Sequence, residues 1–163
     1  MNIVLIGMPG CGKSSVGKRL AKLKNMEFVD VDTVIEMRTG KRLQQIIDES
    51  GNREFLRIEA EVVASLECEN CVIAPGGSVV LTEVGATALA RLGPMIYLRY
   101  PFEEIERRVR NLPTRGVAME MGQTFRELYD YRVKIYERLA DHTLDGVGLS
   151  IDETARAVIE KIR

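Results

Sequence analysis

The chain is expected to fold as one α/β domain around a parallel sheet, and three observations predict it. Short apolar runs of strand length alternate with stretches of helical period, the pattern of strands joined by helical crossovers. At 163 residues and 45% hydrophobic content the chain has the size and apolar supply of one packed core. No repeat, linker or low-complexity segment divides it, so residues 1–163 read as a single unit.

The first strand is Ile3–Ile6, followed by a glycine-rich turn and a helical pattern through Val16, Leu20 and Leu23. Glu27–Val29 is the second strand. A long, mostly helical excursion from about 31 to 66 separates it from the third, Cys71–Ala74. Met95–Leu98 is the fourth, and His142–Asp145 is a weak fifth candidate. Thr124 with Glu127 suits the start of a helix over "LYDYRVKIYERLA", and Ser150 with Glu153 forms a capping box. That last helix carries Ile151, Ala155, Val158, Ile159 and Ile162 on one face. Residues 111–123, "NLPTRGVAMEMGQ", show no clean period. Long irregular segments in compact domains are usually functional lids or disordered loops, so this stretch and the 31–66 excursion are where a lid and an acceptor site are expected.

Composition narrows the class. Charged residues make up 29% and the formal net charge is -1, which implies no global attraction to nucleic acid or an anionic membrane. No apolar run approaches the length that spans a bilayer, and "NIVLIG" follows the first residue without a basic leader region. A soluble, cytoplasmic protein is expected. Cys11, Cys68 and Cys71 are too few and too odd in number for a disulfide framework. "CENC" at Cys68–Cys71 has zinc or redox spacing, but with His142 as the sole histidine and no second cysteine pair it reads as two ordinary cysteines.

The strongest motif is "GMPGCGKS", Gly7 to Ser14, which matches G-x-x-x-x-G-K-[ST] between a strand and a helix. In such a loop the backbone N–H groups turn inward around phosphates, helped by the positive end of the helix dipole. Gly10, Cys11, Gly12, Lys13, Ser14 and Ser15 are the phosphate-binding candidates. Lys13 is expected to reach the β- and γ-phosphates, and the Ser14 hydroxyl to ligate Mg²⁺. A guanine-reading N-K-x-D is absent, and "DGVG" at Asp145–Gly148 lies too late for a switch. The third strand ends in Pro-Gly-Gly-Ser rather than in the acid of a motor-type ATPase. What remains is a small phosphoryl-transfer enzyme.

Such an enzyme needs a metal site, a group that orients the acceptor hydroxyl and positive charge over the moving phosphate. "FVDVDTVIE" offers Asp30 and Asp32. In an extended run they point the same way; if a helix begins between them they diverge, and a helix N-cap at Asp32 is the bland alternative. Gly76 and Gly77 would let a ligand approach the backbone, or form a plain strand-to-helix turn. Arg115, in the lid-like stretch, is a candidate closing arginine or a solvated loop residue.

Taken in order, the phosphate loop, "DVD", "EFLRIE", the double glycine, the lid arginine and "YRVKIYERLAD" resemble shikimate kinase over essentially the whole chain. The resemblance implies a five-stranded parallel sheet of the nucleoside-monophosphate-kinase type, three layers deep, with helices on both faces. It also implies Mg²⁺-dependent transfer of the γ-phosphate of ATP to the 3-hydroxyl of shikimate, in aromatic amino-acid biosynthesis. Carried over by position, it puts Asp30 near the metal and Asp32 at the substrate hydroxyls as base or orienting group. Gly76 and Gly77 become backbone donors, Arg108 stacks on adenine, Arg115 touches phosphate and Arg132 pairs with the substrate carboxylate. A monomer is expected.

Two positions depart from that pattern. The family's F-R-x-x-E becomes Phe55-Leu56-Arg57-Ile58-Glu59, and its three glycines become Gly76-Gly77-Ser78. Losing one of two arginines from a buried carboxylate site costs on the order of 2–5 kcal/mol if nothing replaces it. Arg57 or Arg53 is the candidate replacement, although Arg57 lies about 100° round a helix from Leu56. The acceptor therefore stands as shikimate or another small polyol or hydroxy acid. A nucleoside-monophosphate kinase and a non-catalytic ATP-binding module are the remaining readings.

Overall fold

The computed structural model describes residues 1–110 and 118–163. Among them, five strands form one sheet: β1 (Ile3–Ile6), β2 (Glu27–Asp30), β3 (Cys71–Ala74), β4 (Met95–Arg99) and β5 (His142–Asp145). Their order across the sheet is β2-β3-β1-β4-β5, and every pairing is parallel. The weak fifth candidate is a strand that pairs with β4 from His142 to Asp145. It lies at an edge with only Leu144 buried, which explains its faint apolar signal.

Parallel neighbours need a crossover, and helices supply each one. Helix α1 (Lys13–Lys24) leads to β2, while α2 (Val31–Thr39) and α3 (Leu43–Ala64) fill the excursion to β3. A short 3₁₀ turn, Val79–Leu81, and α4 (Glu83–Leu92) lead to β4. Beyond it come α5 (Phe102–Arg110), α6 (Phe125–Leu139), β5 and α7 (Ile151–Lys161). Strands β1 and β3 are buried at every residue, as a sheet covered on both faces requires. Helix α1 packs on α7, and α3 on α4.

Local chemistry sets the helix ends. Asp30 caps α2, Thr82 caps α4, Thr124 caps α6, and Ser150 with Glu153 forms the expected capping box on α7. Gly51, at φ 84° and ψ 168°, breaks α3 into two helical pieces. The cysteines are free, and burial together with neighbouring Cys71 pushes the Cys68 thiol up to about 11.

Because all strands run the same way, the turns after β1, β2 and β3 emerge at one edge of the sheet. The phosphate loop follows β1, Asp30 is the last residue of β2, and the double glycine follows β3, on three neighbouring strands. A crevice at the carboxyl ends of parallel strands is where open α/β sheets bind ligands.

Candidate active site

The loop after β1 turns through Gly12, whose φ of 92° is a left-handed conformation that a side chain would strain. This lets the first amides of α1 face the loop's hollow. The Lys13 side chain is buried and folds back over the loop, its Nζ donating to the carbonyls of Gly7 (2.8 Å) and Met8 (3.0 Å). Gly10, Gly12, Lys13, Ser14 and Ser15 all line a cleft of about 1150 Å³. Cys11 does not line it: its side chain is fully buried and its N–H donates to the Met8 carbonyl at 3.1 Å.

At the end of β2 the helix begins between the two aspartates, so their side chains diverge. The cap is Asp30, not Asp32. Asp30 Oδ1 accepts from the backbone N–H groups of Asp32 (3.0 Å) and Thr33 (3.4 Å). Its Oδ2 accepts from the Ser14 hydroxyl at 3.4 Å, which joins the phosphate loop to β2. A hydroxyl and a carboxylate oxygen side by side on the cleft wall form a hard-oxygen pair that fits Mg²⁺, an ion that keeps most of its waters.

Asp32 lines the same cleft and meets Glu59, which arrives from α3. Both close on Gly76: a Cβ built there would sit 2.9 Å from Glu59 Oε2 and 3.0 Å from Asp32 Oδ1. A side chain at Gly76 would require one of the two carboxyls to shift. Glu59 is 1% exposed and accepts a short hydrogen bond from the Ser78 hydroxyl. Burial is the main force raising its pKa, aided by the Asp32 charge, and it is pushed up to about 8. Beside it, Arg132 of α6 is 2% exposed, lines the cleft and donates to the Ala118 carbonyl at 2.8 Å. Among the described residues no carboxylate lies within ion-pair distance of Arg132.

The cleft thus joins a phosphate loop to a second pocket with an acid pair and a buried cation. The sequence pattern that defines shikimate kinases matches residues 9–163. The chain belongs to the shikimate kinase family. It is 36% identical to the shikimate kinase of Pelotomaculum thermopropionicum, an alignment covering 99% of this chain and 95% of that one. Among solved structures, the shikimate kinase of Acinetobacter baumannii in complex with shikimate superposes with a TM-score of 0.85 at 28% identity, covering 99% of this chain and 92% of that one. The Aquifex aeolicus shikimate kinase gives 0.84 at 30%, covering 99% and 96%. The sheet is therefore that of a P-loop kinase of the shikimate kinase family, and the chain is an enzyme that phosphorylates an alcohol group.

Most residues singled out in the sequence come together in the cleft. Lys13, Ser14, Ser15, Asp30, Asp32, Gly76, Gly77, Arg108 and Arg132 all line the one cleft. Arg108 lies over the Tyr100 ring, 4.2 Å from its centroid, and donates to the Gly10 carbonyl at 3.3 Å, which fixes it at the phosphate-loop end. Arg57 is not brought in. Its guanidinium is exposed and held by Glu54 and Glu61, each at 2.6 Å on the outer face of α3. Arg53 is exposed as well and does not line the cleft, and Leu56 packs against the core. Arg115 lies outside the described residues.

Sequence reasoning missed Tyr100 under Arg108 and the tie between Ser78 and Glu59. It also missed the 2.6 Å hydrogen bond from the Tyr136 hydroxyl to the Gly77 carbonyl. Each partner lies 8 to 59 residues away on another element, so no local pattern signals it. Glu59 alone carried a hint, as the acid that closes "EFLRIE".

Proposed function

We propose that the chain transfers the γ-phosphate of ATP to the 3-hydroxyl of shikimate within this cleft. The observation that carries the reading is Arg132. A guanidinium buried with no described carboxylate in ion-pair range is costly, and burial raises the pKa of its neighbour Glu59, which weakens that acid as a counter-ion. A ligand that brings a carboxylate would complete the pocket, and shikimate carries one.

In this reading the phosphate-loop amides hold the nucleotide phosphates, and Lys13 exchanges its carbonyl partners for phosphate oxygens. Ser14 and Asp30 would hold Mg²⁺, which when bound neutralises charge on the phosphates. Asp32 accepts a hydrogen bond from the acceptor hydroxyl and aims it at the γ-phosphorus. Strong proton abstraction is not required, because a loose transition state asks mainly for positioning. Gly76 and Gly77 present backbone donors to the acceptor, Arg108 flanks the adenine, and Arg115 closes on the moving phosphate. The chain would act as a cytoplasmic monomer on small molecules, with neither nucleic acid nor membrane as partner. Among the described residues no helix is long and apolar enough to cross a membrane.

Substituting Arg132→Gln tests the acceptor assignment. KM for shikimate should rise by a factor on the order of 30 or more, since removing a buried charge partner costs about 2–5 kcal/mol. KM for ATP should stay near the parent value. An equal loss for both substrates would remove Arg132 from the acceptor site.

A further inference from the structure

We propose that Arg42 is the second cation of the acceptor site, closing on the substrate carboxylate opposite Arg132. This rests on shikimate, or an acid like it, being the acceptor. A carboxylate offers about four lone-pair positions, and leaving water for a closed pocket favours filling more of them than one guanidinium does.

Six cations line the cleft among the described residues: Lys13, Lys41, Arg42, Arg107, Arg108 and Arg132. Lys13 is tied to the phosphate-loop carbonyls. Arg107 and Arg108 both pair with Glu104, and Arg108 also reaches Gly10, which holds them at the nucleotide end. Lys41 pairs with Glu49 at 2.6 Å. Apart from Arg132, that leaves Arg42, which forms no ion pair with any described carboxylate.

Its position suits the task. Arg42 occupies the turn between α2, whose first residues include Asp32, and α3, whose second half carries Phe55 and Glu59 into the cleft. It is exposed at the rim, so its long side chain stays hydrated until a ligand enters. The second half of α3 brings no such charge into the cleft: Arg53 is exposed and does not line it, Leu56 packs against the core and Arg57 is turned outward by two glutamates.

Calorimetric titration of the full chain, with shikimate and separately with ADP, decides the matter. Arg42→Ala should weaken shikimate binding about tenfold or more, the worth of a charge-assisted hydrogen bond, and leave the Kd for ADP unchanged. Arg42→Lys, which keeps the charge but not the fork, should fall between parent and alanine variant. An unchanged Kd for shikimate in Arg42→Ala, or parallel losses for shikimate and ADP, would overturn the role of Arg42 alone. Absence of shikimate binding by the parent protein would overturn the acceptor reading itself, and Arg42 with it.

Discussion

Two carboxyls flank Gly76 but do not share one role. Asp32 stands at the start of α2 on the cleft wall, where a substrate hydroxyl would meet it. Replacing Asp32 with Asn should lower kcat by a factor on the order of 10² or more, the loss expected when the acceptor hydroxyl is no longer aimed, while ATP binding stays near normal. Collapse of ATP affinity in the same variant would move Asp32 out of the acceptor site. Glu59 is deeper and holds a proton up to about pH 8, against an ordinary value of 4.5. The folded chain therefore keeps a proton that the unfolded chain releases near 4.5. Stability should fall as pH rises between about 4.5 and 8 and level off above. Glu59→Gln, uncharged throughout, should flatten that slope in thermal melts. A parent and variant with identical pH profiles would show that Glu59 is ionised in the fold. Lys13 and Ser14 were legible in the sequence because their pattern is local, whereas the Glu59–Ser78 tie joins α3 to the turn after β3 and leaves no local trace.

Among the elements, those whose ends carry their own caps were the most legible. Ser150 and Glu153 satisfy each other's backbone donors at the start of α7, which packs on α1 behind the phosphate loop. Ser150→Ala should cost about 1 kcal/mol, a typical loss for an N-cap, visible as a lower urea midpoint with an unchanged slope. The start of α2 was harder to place. "DVD" permits an extended run or a helix from either aspartate, and the structure chooses Asp30, whose Oδ1 accepts from the first amides of α2 while Oδ2 accepts from Ser14. In α3 the helical angle between Leu56 and Arg57 was readable in advance. The outward turn of Arg57 follows from it, fixed by Glu54 three residues before and Glu61 four after. The break at Gly51 had no such warning beyond the glycine itself.

On the scale of the whole molecule, alternating strands and helices announced a parallel sheet, but not its order. The order β2-β3-β1-β4-β5 gathers the turns after three strands at one edge, and that gathering turns scattered motifs into a two-substrate cleft. Strand order is set by how crossover helices pack, which no window of sequence contains. The edge strand β5 was faint for a related reason, since a single buried residue of four carries almost no periodic signal. Coupled ADP release with Mg²⁺ and ATP, in the presence and absence of shikimate, decides whether shikimate is the acceptor. ADP formation should depend on shikimate and saturate with it. A rate that is the same with and without shikimate would contradict that assignment.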